Sequence, residues 1–118
     1  MTEPACPFCK TNWPNLDIVT RPSAHTRIVR PLNPVTDGHV LVIHDQHTAD
    51  AADNPHIAGV LMATAAHYVR FRRLQANIIT SVGEAATQTV QHTHLHVVPR
   101  RPDDGLHLPW TGQRKAQR

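Results

Sequence analysis

The run Gln88-Thr89-Val90-Gln91-His92-Thr93-His94-Leu95-His96-Val97-Val98 carries three histidines at alternate positions. In an extended strand side chains alternate faces and rise about 3.3 Å per residue, which puts His92, His94 and His96 on one face, each roughly 6.6 Å from the next. Thr93, Leu95 and Val97 turn to the other face, and two of those three are apolar. A row of imidazoles has little use in packing; it suits acid–base work, nucleophilic attack or metal binding. Three readings stand open on this pattern alone. It is the idle product of a chain with ten histidines, a metal trio of alternating ligands, or a nucleophilic centre. His25, His56, His67 and His107 read as passengers.

A second cluster lies at the start of the chain, Cys6-Pro7-Phe8-Cys9, which holds the only two cysteines. A pair this close cannot staple a secreted domain and reads as a metal half-site in a reducing compartment. Two ligands are half of what a closed zinc site needs.

The residues around the three histidines favour nucleophilic catalysis through a resemblance. His92-x-His94-x-His96-Val97-Val98 resembles the signature of the histidine-triad (HIT) superfamily. The likeness extends outwards from Gly83-Glu84-x-Ala86-x-Gln88-Thr89-Val90 to Pro99-Arg100. Upstream, Gly38-His39-Val40-Leu41-Val42-Ile43 resembles the family's strand bearing a fourth histidine, and His47 lies four residues beyond it. The Gln-Thr-Val and Pro-Arg flanks look like the dinucleoside polyphosphate hydrolase branch, and the Cys-x-x-Cys start looks like the zinc-bearing bacterial branch.

The resemblance implies a nucleotide hydrolase acting at the α-phosphate of dinucleoside polyphosphates or nucleoside phosphoramidates. His94 would attack phosphorus through a neutral ring nitrogen, giving a nucleotidyl-histidine that water then cleaves. A backbone carbonyl near His92 would fix its tautomer. His96 and Gln88 would stabilise charge on the phosphoryl oxygens. Thr89 would bond the bridging or leaving-group oxygen, His39 would complete the histidine cluster, and the loop before the triad would offer backbone N–H groups. Ile28, Pro31 and Ile43 would line the nucleoside slot, although simple core packing serves Ile28 and Ile43 equally well. Resemblance to zinc-bearing relatives adds His47 and His92 to Cys6 and Cys9 as a four-ligand structural zinc site, with His92 then orienting His94. Family members form symmetric homodimers, to which a helix over residues 54–76 would contribute.

Three departures from the family pattern stand out. Thr87 stands where glycine is usual, Ser81 where a longer amide side chain contacts phosphate, and His44-Asp45 where proline and lysine are common. They bear on substrate-binding at Ser81 and Thr87 more than on fold. Two alternatives remain: nucleotidyl transfer, against which His96 speaks because that branch usually has glutamine there, and a non-catalytic nucleotide- or zinc-binding module. Nucleic-acid binding through the basic tail lacks interleaved aromatics, since the chain has only two Trp, one Tyr and two Phe.

The elements that must position these residues can be read from pattern. The chain has 118 residues, 40% hydrophobic and 18% charged, with a formal net charge of +3. That bounds it to one compact domain, excludes a disordered chain, and suits small anions better than a nucleic-acid stripe. No signal peptide or membrane-length apolar run is visible, so a cytoplasmic protein is expected. Residues 16–20, 26–30, 39–43, 77–81 and 89–100 read as strands. Asn54-Pro55 reads as an N-cap with proline at the first helical position. Ile57, Leu61, Ala65, Tyr68 and Phe71 then recur at helical spacing as a packing face. The whole predicts an α+β chain: a mostly antiparallel five-stranded sheet with one long helix on one face. Residues 1–15 are expected as a metal-pinned loop, 6–110 as the domain, and 111–118 as a flexible basic tail.

Overall fold

A computed structural model describes residues 5–110; the expected tail at 111–118 and the first four residues of the expected loop lie outside them. The elements are β1 (Asp17–Thr20), β2 (Thr26–Arg30), β3 (Val40–His44), α1 (Pro55–Arg72), β4 (Ala76–Ile79) and β5 (His94–Pro99), with 3-10 turns at Lys10–Asn15 and Glu84–Ala86. The five strands form one sheet in the order β1-β2-β3-β5-β4, antiparallel at every pairing. This is the predicted α+β architecture.

Strand parity divides the sheet into two faces. Ile28, Val40, Val42, Leu95 and Val97 turn one way and bury against Ile57, Leu61 and Ala65 of α1. Val29, Leu41 and Ile43 turn the other way, and there the cover is not a helix but the N-terminal loop, through Cys6, Phe8, Cys9 and Trp13. β3 is therefore buried on both sides, with Val42 and Ile43 both at 0% exposure. Gly38 opens this strand at φ +85°, and a Cβ there would stand 3.2 Å from Pro99 Cγ, so glycine is needed both for the turn and for the close approach of β5.

α1 starts as expected. Asn54 Oδ1 accepts the N–H of Ile57 at 3.1 Å, and Pro55 occupies the first turn. It ends where Arg73 turns left-handed and Leu74 N–H reaches the Val69 carbonyl at 3.0 Å, earlier than the anticipated residue 76. The predicted packing face is corrected at Phe71, which is 86% exposed. Steps of four residues carry the buried stripe from Ile57 through Leu61 to Ala65, and Tyr68 and Val69 pack half-buried against it, but the further step of three to Phe71 leaves it.

Two strand bounds also differ. β4 stops at Ile79 because Thr80 uses its hydroxyl, not its backbone, to donate to the His94 carbonyl at 2.8 Å. The segment expected to be extended from residue 89 bends over 90–92 and becomes β5 only at His94.

Candidate active site and metal centre

β5 presents His94 and His96 on the loop-covered face. Register sets His96 opposite Leu41 and Ile79, and His94 opposite Ile43. A cleft of about 1180 Å³ opens over this face. His94, His96 and His39 stand in it. Phe8, Leu16, Asp17, Arg30 and Pro31 line it, as do Ile79 and Ser81 and the run Thr87, Gln88, Thr89 and Val90. The ring centroids of His94 and His96 are 5.2 Å apart, and those of His39 and His96 are also 5.2 Å apart.

Hydrogen bonds to groups of fixed polarity assign the protons on these rings. A carbonyl only accepts, so His94 Nδ1, 2.8 Å from the His92 carbonyl, carries the hydrogen and Nε2 keeps its lone pair. A backbone N–H only donates, so Val35 N–H, 3.1 Å from His39 Nδ1, leaves the neutral His39 ring protonated at Nε2. That Nε2–H donates to His96 Nδ1 at 3.0 Å, which places the His96 proton on Nε2. The cleft thus receives a lone pair from His94 and an N–H from His96. Burial favours these neutral rings. It lowers the pKa of His94 and His39, and it pushes His96 down to about 4, helped by the neighbouring His94 and His39.

His92 stands apart from its two neighbours. Its ring is 1% exposed and is turned towards the cysteines. Its Nε2–H donates to the His44 carbonyl at 2.9 Å, which leaves Nδ1 bare. That atom lies 3.4 Å from Cys6 Sγ, 3.6 Å from Cys9 Sγ and 3.2 Å from His47 Nδ1, while Cys9 Sγ lies 3.2 Å from His47 Nδ1. The four ligand atoms all fall within 4.8 Å of one another. Edges of a zinc tetrahedron with sulfur and nitrogen ligands run about 3.3–3.8 Å, so the donor set and its spacing suit a closed metal site. Of the three alternate histidines, two face the cleft. The third reaches it only through its carbonyl, because the chain bends at 90–92.

Three further expectations are corrected. Ile28 packs under α1 on the opposite face of the sheet and does not line the cleft. Ile43 is fully buried beneath the loop, whereas Pro31 does line the cleft. Gln88 borders the cleft, but its amide is committed. Oε1 accepts from Gly83 N–H at 2.9 Å, and Nε2 donates to the carbonyls of Ala49 at 2.7 Å and Val90 at 3.0 Å. Gln88 braces the loop and has no donor left for a phosphoryl oxygen. The N–H groups of Ala86, Thr87 and Gln88 are also used inside the turn, bonding Gly83 and Glu84 carbonyls. Thr89 and Val90, next along the loop, also border the cleft. Thr89, Ser81 and Thr87 all border the cleft. Thr87 is left-handed, at φ 68° and ψ 27°, a conformation that glycine adopts without strain.

Two contributors went unread in the sequence. Phe8 meets the His94 ring edge-on at a centroid distance of 5.1 Å. Thr48 and Thr93 bond through their hydroxyls at 2.6 Å, and Thr93 N–H donates to the Thr48 carbonyl at 2.8 Å, which fixes the bend before β5. The place of Phe8 between the two cysteines of Cys6-Pro7-Phe8-Cys9 was a signal for the first. The second carries none, since it joins two threonines 45 residues apart.

A strand that offers alternate histidines to a cleft, in a sheet of this order, defines the histidine-triad class. The HIT domain family model matches residues 16–103, and the chain belongs to that family. It is 39% identical over 82 residues to a HIT-like protein of Mycobacterium tuberculosis, a match covering 64% of this chain and 56% of that one, so the chain spans about half of this relative's length. It is 28% identical over 115 residues to the adenosine 5'-monophosphoramidase HNT1 of Saccharomyces cerevisiae, covering 92% of this chain and 72% of the relative. Among solved structures, a zinc-bound histidine triad family protein from Mycobacterium smegmatis superposes with a TM-score of 0.77 at 34% identity, covering 87% of this chain and 80% of that one.

Proposed function

We propose that the cleft hydrolyses nucleotides at the α-phosphate, with a nucleoside phosphoramidate or dinucleoside polyphosphate as substrate. His94 Nε2 forms a bond to phosphorus as the bond to the leaving group breaks. The leaving group departs with that electron pair and takes a proton from solvent. The adduct retains the Nδ1 proton, held by the His92 carbonyl, so the ring carries positive charge and the P–N bond is labile. Water then attacks phosphorus, the P–N bond breaks, and the nucleoside monophosphate leaves a neutral ring behind. His96 Nε2–H supports the phosphoryl oxygens through both steps, oriented by His39. Thr89 faces the leaving-group oxygen, and Ser81 and Thr87 border the phosphate. The nucleoside lies along Phe8, Leu16 and Pro31. A cleft whose lining includes one guanidinium, Arg30, already paired with Asp17 at 3.0 Å, suits a small nucleotide better than a nucleic-acid strand.

We assign Zn2+ to Cys6, Cys9, His47 and His92, in a structural role because all four positions are filled by protein. The zinc-bound relative supports this assignment. A homodimer in the cytoplasm completes the reading, with its subunit count open to analytical ultracentrifugation. No helix of the described residues is long and apolar enough to cross a membrane.

One observation carries the catalytic reading: the 2.8 Å bond that puts the His94 proton on Nδ1 and leaves Nε2 bare towards the cleft. The test is to incubate the protein with nucleoside phosphoramidates and with triphosphate- and tetraphosphate-linked dinucleosides, and to separate the products by chromatography. His94→Ala is expected to lower turnover by about a thousandfold or more while the circular dichroism spectrum is unchanged. An acid-labile nucleotidyl adduct should be trapped on His94 in the parent protein. Normal turnover by the alanine variant would refute the nucleophile assignment.

A further inference from the structure

The metal centre and the cleft share parts. Phe8 lies between the ligands Cys6 and Cys9, is 9% exposed, and stands edge-on to both the His92 ring at 6.1 Å and the His94 ring at 5.1 Å. It also lines the cleft, as do Ala5, Pro7, Asn12 and Asn15 of the same loop. One wall of the cleft is therefore built from the segment that carries two of the four ligands. The loop's own hydrogen bonds set its internal shape: Asn12 Nδ2 donates to the Cys6 carbonyl at 2.7 Å and Trp13 Nε1 to the Phe8 carbonyl at 2.9 Å. Its ties to the sheet include the contacts among Cys6, Cys9, His47 and His92, the apolar contacts of Phe8 and Trp13, and Arg27 stacked 4.6 Å over the Trp13 ring. His92 makes a second link. Its ring faces the thiols, and its carbonyl holds the proton of His94.

We propose that metal occupancy of the Cys6, Cys9, His47 and His92 centre and nucleotide occupancy of the cleft are energetically coupled, with Phe8 as the positioning residue that transmits between them. The loaded centre holds Phe8 in place as a wall for the nucleoside and as a stop behind the His94 ring. A bound nucleotide presses on the same wall and so secures the loop around the metal. Coupling between two binding sites is reciprocal, so each ligand must tighten the other by the same factor. This rests on the nucleotide reading above.

The experiment uses the full chain, loaded with Zn2+ or stripped by a chelator, with AMP as the probe. AMP affinity is expected to be about tenfold weaker in the stripped protein by calorimetry, and Zn2+ affinity from chelator competition about tenfold tighter when AMP is saturating. Phe8→Ala should still bind one Zn2+ per chain and keep its circular dichroism spectrum, yet AMP should no longer change its Zn2+ affinity. Phe8→Leu should restore part of the effect. Equal AMP affinity with and without metal, or full coupling in Phe8→Ala, overturns the proposal. If the stripped chain unfolds, the Zn2+ competition with and without AMP still decides. If AMP fails to bind even the loaded protein, the nucleotide reading falls as well, whereas binding that ignores the metal sinks the coupling alone.

Discussion

At the scale of single residues, the proposed chemistry needs neutral imidazoles, and burial favours them at His39, His94 and His96. His96 is pushed down to about 4 by burial and by the rings of His94 and His39, while an unfolded histidine titrates near 6.5. Between those values the unfolded chain binds a proton that the folded chain refuses, so stability rises with pH across that window. The stability that depends on His96 is therefore complete above the unfolded value and is lost as the pH falls towards about 4. Thermal melts should show a lower Tm at about pH 5 than at pH 7, and His96→Asn should flatten part of that slope. On the proposed mechanism turnover should fall in the same direction, because protonation of His94 would remove the lone pair that attacks phosphorus. That His94 and His96 share a face was legible in the sequence, since strand alternation suffices for it, whereas the place of His39 beside them came only from the resemblance. The environments of Ile28 and Gln88 were not. Ile28 and Val29 are both buried, so parity in β2 points to neither face as the wet one. Nothing in a glutamine says whether its amide is already engaged.

At the scale of elements, the turn before β5 holds Thr87 left-handed, a conformation that costs a residue with a branched β-carbon about 1–2 kcal/mol and glycine almost nothing. Glycine loses more freedom on folding, which offsets part of the gain. Thr87→Gly should still raise stability by about 0.5–1 kcal/mol, read as an increase in Tm or in the urea midpoint. On α1, Leu61 is fully buried and Phe71 is 86% exposed. Leu61→Ala should cost about 2–5 kcal/mol in denaturant unfolding. Phe71→Ser should cost less than about 0.5 kcal/mol, and an equal loss at the two positions would reverse the packing described for this helix. Strands and the helix start were readable because periodicity and the Asn54-Pro55 cap are local signals. The bend at 90–92 was not, because it depends on Thr48 and Thr93 meeting across the fold.

At the scale of the whole molecule, the sheet is covered by two unlike layers. α1 holds one face by side-chain packing, and the other face is closed by a short loop clasped to it through the candidate centre of Cys6, Cys9, His47 and His92. β3 runs between them as Val40-Leu41-Val42-Ile43, four apolar residues no more than 5% exposed. Losing the clasp would wet only one side of this strand, and that side bears Leu41 and Ile43 next to Val29. Uncharged β-branched segments laid open in this way self-associate. Chelator added to concentrated protein should therefore produce turbidity well below the temperature at which α1 melts, and restored Zn2+ should suppress it. Thiol oxidation or metal starvation would then appear first as clumping of folded chains rather than as their denaturation.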